Sequence, residues 1–268
     1  MCELFAMSSR LPTRLTFSWQ EFARHGTVND KNPDGWGVAF YEGRDARILR
    51  EPSPSASSAC ADLLSRWAPV SASVIAHVRH ASQGEKCLAN TQPFTRELGG
   101  ATHVFAHNGI LDDVERAVPL SPAGCRPVGD TDSEHAFCVL IERLRPVWLD
   151  AQRAAPPLAQ RQAIVAQFAR DIAPLGAANF LYSDGDVTFV HAHKRYNPIT
   201  HDRRPPGLHV LVRSCEVDSA RLAAGIEIAD GDPAQRIVLV ATVPLSDEPW
   251  QPLGEGELIV LRDGDVIG

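Results

Sequence analysis

The 268 residues carry 26 Lys and Arg against 33 Asp and Glu, a formal net charge of −7, with 44% hydrophobic and 22% charged side chains. That balance is globular and excludes wholesale disorder or a fibrous repeat. A net-negative surface repels a phosphate backbone, so nucleic acid is not an expected partner. The longest apolar runs, such as Ile237 to Val243, fall far short of the roughly 20 residues that span a bilayer. With no basic region followed by an apolar run at the start, the chain reads as cytoplasmic, without a membrane partner.

In chain order, the pattern predicts a strand at Leu4–Met7. A hairpin follows, from Gly35–Tyr41 through the Glu42–Asp45 turn into Ala46–Arg50. Ser53–Ser58 is a short polar loop, and Ala59–Trp67 has the pattern of a short helix. Ser73–Val78 and Thr102–His107 are further strands. At Thr131 the Thr-x-x-Glu spacing of Thr131 and Glu134 makes a capping box. Phe137, Leu140, Ile141, Leu144 and Trp148 then share one face at helical spacing. Leu158–Ile172 is a second long helix, entered from Pro156-Pro157 and stopped by Pro174. Phe180–Tyr182 and Val187–Ala192 flank Ser-Asp-Gly-Asp, a hairpin signal. Arg203–Gly207 reads as a loop, and Leu208–Arg213, Arg236–Val243 and Leu258–Leu261 as strands. Two groups of strands with helices between and outside them describe a layered α+β fold, a single domain over residues 1–268.

The six cysteines, at 2, 60, 87, 125, 138 and 215, form no C-x-x-C pair and no zinc-finger spacing. The histidine pairs His77/His80, His103/His107 and His191/His193 have spacings that suggest metal ligands. Only the last shares a strand face, and no H-E-x-x-H accompanies it. No metal and no cofactor are expected, and no phosphate-binding glycine motif is present.

Cys2 is the candidate nucleophile. Removal of Met1 would leave its thiol beside its own α-amine, whose pKa of about 7.7–8.0 leaves a neutral fraction able to accept the thiol proton. Read alone, Cys2 is most simply the residue that happens to follow the start codon.

Six segments go further. They are Met-Cys-Glu-Leu-Phe-Ala-Met-Ser at the start, Asn32-Pro-Asp-Gly-Trp-Gly-Val-Ala-Phe-Tyr-Glu-Gly43 and Ala76-His-Val-Arg-His-Ala-Ser-Gln-Gly84. Asn90-Thr-Gln-Pro-Phe-Thr-Arg-Glu-Leu98, Ala106-His-Asn-Gly-Ile110 and Val128-Gly-Asp-Thr-Asp-Ser-Glu134 complete the set. In this order they resemble the class II, N-terminal-nucleophile glutamine amidotransferases, the stand-alone members above all. The resemblance implies a four-layer αββα Ntn-hydrolase sandwich of two mainly antiparallel sheets. It assigns Cys2 as nucleophile, with Asn108 and Gly109 as the oxyanion hole. Arg79 becomes the clamp on the substrate carboxylate, which a guanidinium meets through two parallel hydrogen bonds. Asp132 becomes the partner of the substrate ammonium, favoured as an anion in the first turn of a helix. Trp36, His80 and Ser82 are further substrate-side candidates. Ser82 and Gln83 stand where many relatives have threonine and histidine. Arg24 falls where some relatives place an arginine that positions the terminal residue.

The activity implied is hydrolysis of a γ-glutamyl amide through a Cys2 thioester, releasing glutamate and ammonia or an amine. The substrate is a small γ-glutamyl compound such as glutamine. A domain of this type uses essentially all 268 residues, so an acceptor of the ammonia would be a separate synthetase subunit. A free-standing γ-glutamyl peptide hydrolase and a non-catalytic glutamine-binding regulatory module are the alternatives. An internal-cysteine protease is disfavoured, because none of the other cysteines lies in such a motif.

Overall fold

Side-chain alternation in the first strand decides the layering. In β1 (Glu3–Phe17) Leu4 and Ala6 face one buried cluster while Phe5 and Met7 face another, because successive strand residues point to opposite sides of a sheet. A strand apolar on both faces belongs between two layers. The computed structural model describes residues 2–17, 34–67, 69–80, 84–151, 154–197, 202–214, 221–222, 226–229 and 234–268.

Among these residues β1 is central in the larger sheet. It pairs on one side with β4 (Val70–Val78), then β2 (Trp36–Glu42) and β3 (Asp45–Glu51). On its other side lie β14 (Arg236–Ala241), β11 (His209–Ser214) and β15 (Gln251–Pro252), with β13 (Ile226–Ala229) and β12 (Arg221–Leu222) against its far end. The second sheet runs β17 (Asp265–Val266), β16 (Leu258–Arg262), β8 (Thr188–His191), β7 (Asn179–Ser183), β6 (Ala101–Asn108) and β5 (Phe94–Leu98). Both sheets are antiparallel throughout their described ladders. A separate ribbon pairs β9 (Arg195–Asn197) with β10 (Asp202–Arg204). Helix α1 (Ala59–Trp67) covers the larger sheet, while α3 (Asp132–Asp150) and α4 (Leu158–Ile172) cover the smaller one. The one-turn α2 (Val114–Ala117) precedes them.

Three apolar clusters follow from that stacking. Phe5, Met7, Trp36 and Val78 pack with Ala61 and Leu64 of α1; Leu4, Ala6, Ile75, Val104, Leu181 and Val190 fill the space between the sheets; Phe105, Phe180, Phe137, Leu144 and Phe168 join the second sheet to α3 and α4. This is the four-layer αββα sandwich of the Ntn-hydrolase type.

The helices Ala59–Trp67 and Leu158–Ile172 have the bounds the sequence predicts, although a 3-10 turn at Ala173–Leu175 carries the chain past the expected stop at Pro174. Thr131 caps α3 as its spacing requires, its side chain accepting from the Glu134 N–H at 3.2 Å. β1 is far longer than Leu4–Met7. Polar Ser8, Ser9 and Pro12 conceal its continuation, yet Ser8 and Ser9 are buried, and the β1–β4 ladder shifts register between Ser8 and Thr13. There the Gln235 side chain stands in for a neighbouring strand, accepting from the Leu11 N–H at 3.0 Å and donating to its carbonyl at 2.9 Å. The expected loop at Arg203–Gly207 begins within β10 instead, and Phe94–Leu98, whose residues Thr95 to Glu97 are polar, is a strand the apolar pattern does not announce.

Candidate active site

One end of the sandwich gathers the candidate residues, and strand register does the gathering. Glu3 pairs with Val78, so the next rung sets Cys2 against Arg79. β6 ends at Asn108, beside Asn179 of β7. The Cys2 sulfur lies against the main chain of His80, 3.3 Å from its N–H and 3.5 Å from its carbonyl. The Asn108 side chain donates to the Cys2 carbonyl at 2.7 Å. Burial pushes the Cys2 thiol above its usual range, while the His80 N–H and the Arg79 charge pull the other way. A thiol held neutral by burial needs a proton acceptor close at hand.

Arg79 is 4% exposed. Its main chain is bracketed by the Asp34-Gly35 turn, with Arg79 N donating to Gly35 O at 2.8 Å and Asp34 N to Arg79 O at 2.7 Å. Its guanidinium donates to Glu85 O at 2.9 Å and Gly84 O at 3.3 Å.

Asp132 opens α3 one residue after the Thr131 cap. One oxygen accepts from Leu111 N at 2.7 Å and the other from Ser133 N at 2.7 Å. Asp132 is thereby tied to the segment that leaves Asn108 and Gly109. A Cβ at Gly109 would collide with the Ala177 carbonyl, so only glycine permits that approach.

Cys2, Arg79, His80 and Asn108 are therefore in direct mutual contact or on adjacent rungs, with Gly109 following Asn108 and Asp132 joined through Leu111. Trp36 is placed differently. Its ring is fully buried in the cluster facing α1, with Phe5, Val38 and Val78. That is a packing position on the face of the sheet opposite Cys2. Ser82, Gln83 and Arg24 lie outside the described residues.

Several supporting residues carry no signal of their own in sequence: Gln92 and Asn90 are merely members of a motif, and Asn179 lies outside all six. Gln92 brackets the end of β6, accepting from His107 N at 2.6 Å and donating to His107 O at 3.2 Å. Asn90 joins the two loops at the site mouth, donating to Glu85 O at 3.1 Å and accepting from Asp130 N at 3.0 Å. Asn179 donates to Asn108 O at 3.1 Å and to Lys194 O at 2.7 Å, and accepts from His193 N at 2.7 Å. Side-chain amides suit such work because each offers donors and an acceptor to backbone that no strand pairs.

The histidine pairs have other occupations. His103 contacts the Tyr182 hydroxyl at 2.7 Å and Leu98 O at 3.1 Å. His107 Nε2 faces Ala177 O at 2.9 Å, which can only accept, so the proton belongs on Nε2 and Nδ1 accepts from the Ser133 hydroxyl at 2.8 Å. His191 Nδ1 donates to Ala178 O at 2.7 Å. Among the described residues no three His, Cys, Asp or Glu side chains converge as metal ligands.

His77 stands out by having neither ring nitrogen hydrogen-bonded although it is wholly buried beside Leu4 of β1. Burial first, then the charge of Arg79, push its pKa down to about 3. A histidine depressed in the folded state contributes stability that is complete above the unfolded value of about 6.5 and is lost as pH falls toward the folded value. From pH 7 to pH 5 the loss is about 2 kcal/mol from this residue. Urea unfolding of the wild type and of His77→Asn at the two pH values is expected to show that extra loss only in the wild type. Equal losses would remove His77 from the account.

No described helix is long and apolar enough to cross a membrane. The family model for class II glutamine amidotransferases matches residues 1–268. The chain is 36% identical over 259 residues to the amidotransferase-family protein YafJ of Escherichia coli (strain K12), covering 96% of each chain. A crystal structure of a predicted glutamine amidotransferase from Pseudomonas aeruginosa PA01 is 33% identical, covers 100% of both chains and superposes with a TM-score of 0.75. The glutamine phosphoribosylpyrophosphate amidotransferase of B. subtilis shares the fold at a TM-score of 0.57 and 14% identity, covering 99% of this chain and 48% of that one. With the family model spanning every residue and two full-length relatives above 30% identity, the chain belongs to the class II glutamine amidotransferases.

Proposed function

We propose that the protein hydrolyses a γ-glutamyl amide, with glutamine the simplest substrate, through a thioester on Cys2. Removal of Met1 frees the Cys2 amine, which takes the thiol proton as the sulfur attacks the γ-carbonyl. Asn108 donates from its amide, and Gly109 from its backbone N–H, to the oxyanion that forms. The protonated amine then gives its proton to the departing ammonia or amine, and water activated by the same amine releases glutamate. Arg79 holds the substrate carboxylate and Asp132 the ammonium, fixing the carbonyl carbon of the side-chain amide over the sulfur. His80 supplies the main-chain ledge on which the sulfur rests, and Ser82 is a further hydrogen-bond donor in this reading.

The observation that carries the proposal is the 2.7 Å contact of Asn108 with the Cys2 carbonyl. It puts an amide donor beside the sulfur-bearing residue. An amide has two N–H groups, so holding that carbonyl leaves a second for the oxyanion.

The test is labelling by a diazoketone analogue of glutamine, read by intact mass and peptide mapping. A single adduct on Cys2, in protein that has lost Met1, is the expected result. An adduct on Cys60, Cys87, Cys125, Cys138 or Cys215 would overturn the reading.

A further inference from the structure

Away from the Cys2 site, two cysteines share one arginine. Arg96 of β5 donates through Nε to Cys125 Sγ at 3.3 Å and through Nη2 to Cys138 Sγ at 3.7 Å. The same Nη2 reaches Glu134 at 2.6 Å. Cys138 is buried in α3, while Cys125 is partly exposed in the segment leading to that helix. Adjacent nitrogens of one planar fork thus hold both sulfurs.

We propose that Cys125 and Cys138 are a redox-active dithiol, oxidised by a hydroperoxide to an intramolecular disulfide, with Arg96 stabilising the reacting thiolate. The division of labour follows from exposure and charge. Cys125 is the sulfur that peroxide can reach. Its thiol is pushed down by the neighbouring Cys138 thiol and by Arg96, against the effects of burial and Glu142. Cys138, buried and pushed up by the neighbouring Cys125 sulfur and by burial, stays protonated and waits as the resolving thiol.

In the first step the Cys125 thiolate attacks one peroxide oxygen. The O–O bond breaks, water or alcohol leaves with a proton from solvent, and Cys125 becomes a sulfenic acid. In the second, the Cys138 sulfur attacks the Cys125 sulfur, the S–O bond breaks, and water leaves carrying the Cys138 proton. Two thiols are oxidised by two electrons and one peroxide is reduced. A reductant thiol reverses the change by exchange.

The pair adjoins the loops at the mouth of the active site. Glu134, bound to Arg96, also accepts from Gly129 N at 2.7 Å, and the neighbouring Asp130 bonds Asn90, which bonds Glu85 O, the anchor of Arg79.

The experiment needs no assay of catalysis, so its failure is separable from failure of the hydrolase reading. Full-length protein is treated with stoichiometric hydrogen peroxide, its remaining thiols are alkylated, and its peptides are mapped by mass. The expected product joins the Cys125 and Cys138 peptides with loss of two hydrogens and is undone by dithiothreitol. In Cys138→Ala the reaction stops at a Cys125 sulfenic acid that dimedone captures. Before oxidation, iodoacetamide at pH 7 labels Cys125 about tenfold faster than Cys60, whose thiol burial and Glu51 push up. Peroxide that leaves Cys125 and Cys138 both alkylatable while Cys60 or Cys87 oxidises would overturn the proposal. So would over-oxidation of Cys125 beside an intact Cys138 thiol.

Discussion

Cys2→Ala is expected to lower kcat for glutamine hydrolysis by about 10⁴-fold or more, the scale on which loss of a covalent nucleophile is felt when it acts as one unit with its base. The fold should be indifferent to the change. Cys2 precedes β1, and its contacts are made largely by main chain, with His80 at its sulfur and Asn108 at its carbonyl. Near-unchanged thermal unfolding beside lost turnover is therefore the expected pair of results. Full activity in Cys2→Ala would end the assignment. A second variant separates sulfur from amine. Inserting alanine between Met1 and Cys2 keeps the thiol but puts its nitrogen in a peptide bond. Because burial already holds the Cys2 thiol above its usual range, losing the adjacent base should be as damaging as losing the sulfur. A diazoketone would then label the inserted variant slowly, since the buried thiol lacks a local proton acceptor. Rapid labelling and turnover in that variant would show that a different group activates the sulfur.

What the sequence discloses of this molecule divides along physical lines. Helices α1 and α4 are legible because an apolar stripe and a proline entry or a short amphipathic run are local signals. β2, β4, β6 and β8 are legible because they are buried on both faces and read as apolar runs. The far half of β1 and all of β5 are not: Ser8 and Ser9 lead into strand that leans on the distant Gln235, and Thr95 to Glu97 break the apolar pattern of a strand that pairs with the adjacent β6. Cys2 and Asp132 stand out in sequence through the family resemblance, since a cysteine after the initiator and an aspartate in a capped first turn are each commonplace on their own. Trp36 illustrates the opposite case. It lies within a site motif, yet its ring belongs to the packing between β2 and α1. Gln92, Asn90 and Asn179 show the remaining gap. Their task is to satisfy backbone groups that loops leave unpaired, and which groups those are is known only once the strands have ended.

Asn108 is where the oxyanion reading meets its sharpest test. Asn108→Ala should lower kcat by about 10²–10³-fold, the usual effect of removing one preorganised oxyanion donor, while KM changes little. The separation between the two parameters matters because the variant has a structural cost too. It deletes the 2.7 Å bond to the Cys2 carbonyl, worth about 0.5–1.5 kcal/mol net, and that alone should lower Tm by only a few degrees. The Asn179 bond to Asn108 uses the main-chain carbonyl and survives the substitution. Asn108→Asp keeps the shape but aims a carboxylate at the position where negative charge develops, so its kcat should fall at least as far as that of the alanine variant. Gly109→Ala cannot replace this test, since its Cβ would strike the Ala177 carbonyl and confuse folding with catalysis. If Asn108→Ala raised KM while leaving kcat intact, the amide would be a ground-state contact, and stabilisation of the tetrahedral intermediate would have to come from elsewhere in the site.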